Sequence, residues 1–300
     1  MNQKLDIRRI IIYLAITFGI AWTTALIIYS TGGLQNGLQI APGLPLALIL
    51  LALPYMWAPA LGNLLTRLIT RESWQNSGLG LHLRKGWPYW LAAWCLPAVF
   101  TLFGAIIFFV LFPEYYLLNV DLIENSTLAI PALSQLNIWG KLGLGLLLGV
   151  LISPLLNAFS TFGEEFGWRA YLLPKLMALG WQKALLWSGL IWGVWHWPVI
   201  FMGYEYGTAY PGYPWLGPLL FVWIAFGLGT FLSWVTIRSG SVWPAVIGHS
   251  AINGIAAAAV LATNGSPNPL VGPLPVGVIG GMGYALAAVF LFFRPGLEKE

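Results

Sequence analysis

The chain has 300 residues, 58% hydrophobic and 8% charged, with a mean hydropathy of +0.77. Soluble domains carry about 25% Asp, Glu, Lys and Arg, so the 14 basic and 10 acidic residues here are too few to cover a water-exposed surface. A cytosolic enzyme, a disordered tail protein and a nucleic-acid partner are excluded, the last because the positives are dispersed between apolar runs instead of forming a patch.

A helix crossing the ~30 Å hydrocarbon core needs about 20 mostly apolar residues. Eight windows meet that need: 10–30, 43–65, 87–112, 142–163, 184–203, 215–237, 242–262 and 274–293. They predict an all-α polytopic membrane protein, residues 1–300 forming one transmembrane domain. The first window is too long for a signal-peptide core. Of the 14 basic residues, Lys4, Arg8, Arg9, Arg67, Arg71, Arg84, Lys85, Arg169, Lys175, Lys183, Arg238, Arg294 and Lys299 fall on one side of such a topology. Lys141 falls on the other, with Glu114, Asp121, Glu124 and Glu205. The positive-inside rule then predicts cytoplasmic termini, in a multi-pass protein of a prokaryotic plasma membrane.

Other features read as membrane furniture. Trp87, Trp90, Trp215 and Trp243 suit interfacial anchors, and the Tyr-, Gly- and Pro-rich loop from Tyr204 to Trp215 suits the headgroup region. Residues 66–86 suggest an interfacial helix. Gly143, Gly145, Gly149, Gly227 and Gly229 suggest close helix packing. Cys95 is the one cysteine, so neither an intramolecular disulfide nor a cysteine zinc site can form, and its apolar run suggests a small buried side chain. His82 lies in a polar loop and reads as solvated.

Ionisable residues inside apolar helices are costly and mark function. Glu164 and Glu165 end the fourth window; Glu165 and Arg169 are four apart and can pair on one helix face, with Glu164 pointing about 100° away. His196 lies in the fifth window, His249 and Asn253 in the seventh, the last two again four apart. At 1.5 Å per residue His196 sits about 18 Å and His249 about 10 Å from the inner ends of their helices. A meeting point in the cytoplasmic half of the bilayer follows. Carboxylate, imidazole and amide suit hydrolysis: a glutamate takes a proton from water, and amide or imidazole donors stabilise an oxyanion. The same donors suit a zinc-type divalent ion. Neither H-E-x-x-H nor G-x-S-x-G is present.

These residues resemble the CPBP intramembrane proteases, also called the Abi or type II CAAX prenyl endopeptidase family, whose pattern is E-E-x-x-x-R, an aromatic-x-x-x-H and H-x-x-x-N. Glu164, Glu165 and Arg169 match the first part, and His249 with Asn253 match the third. In the second part Trp192 stands before His196 where Phe is usual. The resemblance implies an eight-helix fold with a cytoplasm-facing cavity and a catalytic core at about 141–262. It assigns water activation to Glu164, its polarisation to His196, oxyanion stabilisation to His249 and Asn253, and support to Glu165 and Arg169. It leaves a divalent metal held by Glu164, His196 and His249 as an open alternative. The implied partner is a membrane-associated peptide or protein, lipidated or not, in CAAX-type processing, bacteriocin maturation or self-immunity. The competing readings are a transporter or proton relay using the same buried residues, and a non-catalytic immunity protein.

Overall fold

The computed structural model describes residues 5–127 and 135–294, a helical bundle with one two-stranded ribbon. Lys4 and Lys299, both counted in the orientation argument, lie outside the described residues. Helix α1 (Ile7–Ser30) starts on Asp6, whose carboxylate accepts the Arg9 backbone N–H at 3.2 Å. A ribbon of β1 (Gln39–Ala41) and β2 (Leu44–Pro45) follows. The next crossing joins α2 (Leu46–Leu50), a π turn (Leu51–Tyr55) and α3 (Met56–Thr70). Pro54 has no N–H for the preceding turn, and the ladder widens around it instead of breaking.

Arg71 adopts a left-handed conformation, φ 51°, and closes α3. Residues 72–82 then run without a helix, through positive-φ Gly78, to α4 (Leu83–Leu111). The interfacial helix expected over 66–86 therefore does not form. Helix α4 buries a stripe of Ala93, Pro97, Thr101, Gly104 and Phe108. Cys95 lies off that stripe and is exposed, contrary to expectation.

After α5 (Val120–Thr127), the fourth window is built from α6 (Ile138–Leu151), α7 (Ser153–Leu156) and α8 (Ala158–Gly167). Pro154, in the first turn of α7, separates the pieces. A π turn (Trp168–Leu172) leads into α9 (Leu173–Leu176). The fifth window is divided at His196 into α10 (Trp181–Trp195) and α11 (Trp197–Phe201), which has Pro198 in its first turn. Helix α12 (Leu216–Ser239) and α13 (Trp243–Ile255), with a 3-10 tail to Ala262, are long and central. The eighth window is helical only in α14 (Met282–Phe292), because Pro267, Pro269, Pro273 and Pro275 interrupt the chain before it. Among the described residues five helical stretches are long and apolar enough to cross a membrane: Ile7–Ser30, Leu46–Thr70, Leu83–Leu111, Leu216–Ser239 and Trp243–Ala262.

Large apolar side chains such as Ile11, Leu26, Val99 and Val110 are exposed on α1 and α4, as lipid-facing surfaces are. Trp168, Trp181 and Trp195 are instead fully buried core residues. Gly143 and Gly145 face open space; the close approach is made by Gly163 and Gly167 on α8. A Cβ on Gly163 would lie 2.7 Å from the Met56 carbonyl oxygen, and one on Gly167 would overlap Pro59.

One end of the bundle is polar and basic. There Glu72 accepts from Lys175 at 2.6 Å and from the Tyr171 hydroxyl at 2.9 Å, and lies 3.2 Å from Arg9. Arg9 also reaches Thr70, and the Trp181 indole donates to Leu291 at 3.0 Å, so the starts of α1 and α10 meet the ends of α3 and α14. At the other end the loop 202–215 packs on the segment before α14, with the Tyr206 hydroxyl donating to the Val276 carbonyl at 2.8 Å.

Candidate active site

The last turn of α8 carries Glu164 and Glu165, and the π turn follows at once. Such turns free backbone groups and recur at functional sites. The Phe166 carbonyl in this turn accepts from Asn63 Nδ2 at 2.8 Å, and Asn63 in turn accepts from Arg67 Nε at 2.8 Å. Helix α3 thus fixes the height of both glutamates.

Glu165 is fully buried, and its Oε1 accepts from Arg169 at 3.0 Å, the expected pairing. The same oxygen accepts from His249 Nδ1 at 2.8 Å, a contact across 84 residues of sequence that the spacing alone did not reveal. This bond assigns the Nδ1 proton and leaves Nε2 of His249 for the cavity. Glu165 therefore orients a second chemical residue as well as neutralising Arg169.

Trp192 joins the rest. Its indole N–H donates to Glu164 Oε2 at 2.8 Å, its carbonyl accepts from His196 Nδ1 at 2.8 Å, and its ring lies 4.3 Å beneath the Arg169 guanidinium. The carbonyl can only accept, so His196 carries its proton on Nδ1 and offers Nε2 as an acceptor. The substitution of Trp for the usual Phe thus adds a donor to the carboxylate.

Glu164, His196, His249 and Asn253 all line one cavity of about 90 Å³, room for several waters. Glu165 and Arg169, each 0% exposed, close it from behind. Asn253 is exposed on the cavity, while His82 stands apart, hydrogen-bonded to the Ser239 carbonyl. The lining also includes Tyr55, Tyr204 and Glu205, none of which the sequence reading placed there. Tyr55 donates to the Trp195 carbonyl at 2.7 Å and so holds the turn before His196. The sequence reading counted Glu205 only among the loop acids opposite the basic side; a carboxylate within a loop of Tyr, Gly and Pro was the available signal.

No three His, Cys, Asp or Glu among the described residues gather closely enough to hold an ion. Both Nδ1 atoms and one Glu164 oxygen already have partners, and Glu165 shares its carboxylate with a guanidinium.

The cavity runs from the buried Glu165–Arg169 pair towards the loops 202–215 and 263–281, away from the basic end.

Residues 143–255 match the family model for type II CAAX prenyl endopeptidase, Rce1-like. A search of curated proteins found no match. The matched segment spans α6 to the end of α13 and holds every residue of the Glu164, Trp192, His196, His249 and Asn253 constellation. Over this segment, somewhat more than a third of the chain, the protein is similar to the Rce1-like type II CAAX prenyl endopeptidases.

Proposed function

We propose that the chain is an intramembrane endopeptidase that hydrolyses a peptide bond of a membrane-associated polypeptide with water activated by Glu164. The observation that carries this reading is the convergence of Glu164 from α8, His196 from the α10–α11 joint, and His249 and Asn253 from α13 on one apolar-walled cavity. Trp192 holds one oxygen of Glu164 and leaves the other for water. Glu164 takes a proton as the water oxygen bonds to the peptide carbon. His196 Nε2 accepts from the water and orients it. Asn253 donates to the oxyanion, as does Nε2–H of His249 in its imidazolium form, whose Nδ1–H is held by Glu165, and Glu164 returns the proton to the amine as the C–N bond breaks. No step needs a metal or a covalent acyl-enzyme.

The reading takes eight crossings, three of them from broken segments: 138–167, 181–201 and 265–292. The 21 residues from Trp181 to Phe201 reach about 31 Å at 1.5 Å per residue. Irregular backbone at membrane depth is tolerated where it lines a cavity, and Pro275 and Val276 do so. With the basic end cytoplasmic, substrate enters from the opposite face, which replaces the cytoplasm-facing cavity of the sequence reading. Prenylation of the substrate is not required by any side chain in the cavity.

The test uses purified protein and a cleavable reporter peptide. Hydrolysis should persist in a strong chelator, fall by at least about 10³-fold in Glu164→Gln, and leave no substrate-derived adduct on the intact protein by mass spectrometry. An adduct, or chelator-sensitive activity restored by one divalent ion, overturns the mechanism. Proton-coupled solute flux without hydrolysis favours the transporter.

A further inference from the structure

The peptidase reading leaves one carboxylate of the cavity without a task. Glu205 sits on the loop between α11 and α12, with φ at 66°, a left-handed conformation that glycine takes at far lower cost. The loop imposes it: Tyr204 N–H donates to Val199, Gly207 N–H donates to Gly203, and the buried Tyr206 donates to Val276. A strained residue held this firmly argues for a function at that position.

The surroundings say which. Glu205 lines the same cavity as Glu164, and no described residue gives its carboxylate a hydrogen bond or an ion pair. The cavity wall has two carboxylates, two imidazoles and an amide, and neither Lys nor Arg. Arg169 is spent on Glu165 and lies behind the Trp192 ring. Burial lifts the Glu205 carboxyl to about 7, with His249 opposing the rise. Apolar walls strengthen any attraction to a cation that enters. Tyr204, next to it, is 41% exposed, so this wall adjoins the mouth.

We propose that Glu205 is a specificity-determining residue whose carboxylate receives a cationic nitrogen of the bound polypeptide, so that the substrates are membrane-associated polypeptides with a Lys or Arg beside the cleaved bond. The word substrate rests on the peptidase reading; the binding preference does not.

The test is therefore made on binding first. Full-length protein carrying Glu164→Gln, in nanodiscs, is titrated with a fluorescent apolar peptide, acetylated and amidated, bearing one lysine. A second peptide replaces that lysine with norleucine, a third with glutamate, and a fourth keeps norleucine but has a free amino terminus. The lysine peptide should bind about tenfold tighter than the norleucine peptide. Glu205→Gln should abolish that preference, and Glu205→Lys should transfer it to the glutamate peptide. Should Glu205→Gln fold poorly, Glu205→Gly removes the carboxylate while suiting the positive φ, and should bind both peptides alike. Preference for the free-amine peptide over the lysine peptide overturns the side-chain assignment, as does a lysine preference that survives in Glu205→Gln and Glu205→Gly. Cleavage by protein with Glu164 intact separates the two readings. A Glu205-dependent binding preference without any cleavage leaves Glu205 assigned and sinks the peptidase. Cleavage whose lysine selectivity ignores Glu205 does the reverse.

Discussion

At the scale of single residues, the adjacent glutamates differ by what holds them. Glu165 is locked between Arg169 and His249, whereas Glu164 is tied only to an indole. Glu165→Gln leaves a buried guanidinium without its counter-charge, and breaking such a pair costs about 3–5 kcal/mol, so its thermal midpoint should fall sharply. Trp192→Phe keeps the ring and loses one hydrogen bond to a carboxylate, worth about 1.5–3 kcal/mol. It should fold normally and lose about tenfold or more in kcat, with KM little changed. A stable Glu165→Gln, or a fully active Trp192→Phe, contradicts the assignment. At the basic end, burial alone would raise the Glu72 carboxyl, but hydrogen bonds from Lys175 and Tyr171 and the charges of Lys175 and Arg67 hold it below its ordinary value. A depressed carboxyl adds stability above its unfolded pKa, about 4.3, and loses it as pH falls through the lower folded value. Unfolding followed between pH 6 and 3 should show Glu72→Gln less stable at the upper end, by about 1–2 kcal/mol, and nearly equal at the lower. The chemical residues were legible because Glu, His and Asn are conspicuous in apolar windows and two of the pairs are four apart. The Glu165–His249 bond and the placement of Glu205 were not, since each depends on where distant turns of chain come to rest.

At the scale of elements, the windows of hydropathy found the helices but not their joints. Averaging over about 19 residues hides a proline, and so 142–163 and 184–203 each count as one span; a kink at Pro154 was open from the sequence, while the division at Pro198 was not. Those joints matter to the site: His196 sits at one, and α8 starts just after the other. The π turn after Glu165 begins just past Gly167, a glycine at which the sequence allows the helix to break. Seating α8 on α3 depends on Gly163 and Gly167 more than on the glycine-rich stretch at 143–149, which the sequence suggested. Gly167→Ala pushes a methyl group into Pro59, and overpacking of this kind costs about 1–3 kcal/mol. Because α3 also sets the position of Glu164 through Asn63 and Phe166, a shift of about 1 Å should lower kcat by about 100-fold. Circular dichroism and kinetics on Gly167→Ala and Gly143→Ala check this; equal effects of the two contradict it.

At the scale of the whole molecule, the proposed function puts the basic residues and the cavity mouth at opposite ends of the bundle. Cysteine counting from sequence now becomes useful, because Cys95 is the one native thiol. In a Cys95→Ser background, a cysteine at Thr208 should react with a membrane-impermeant maleimide from outside intact cells, and one at Ser77 only after lysis. The opposite pattern places the mouth on the cytoplasmic side. The account's central claim is that Glu164 delivers water to a peptide bond. Its most direct measurement incubates proteoliposomes of the unmodified chain and of Glu164→Gln with a library of membrane peptides in oxygen-18 water, and reads new carboxyl termini by mass spectrometry. The account predicts oxygen-18 in new termini from the unmodified chain and none from Glu164→Gln. Identical termini from both proteins, or no new termini from either, would contradict it.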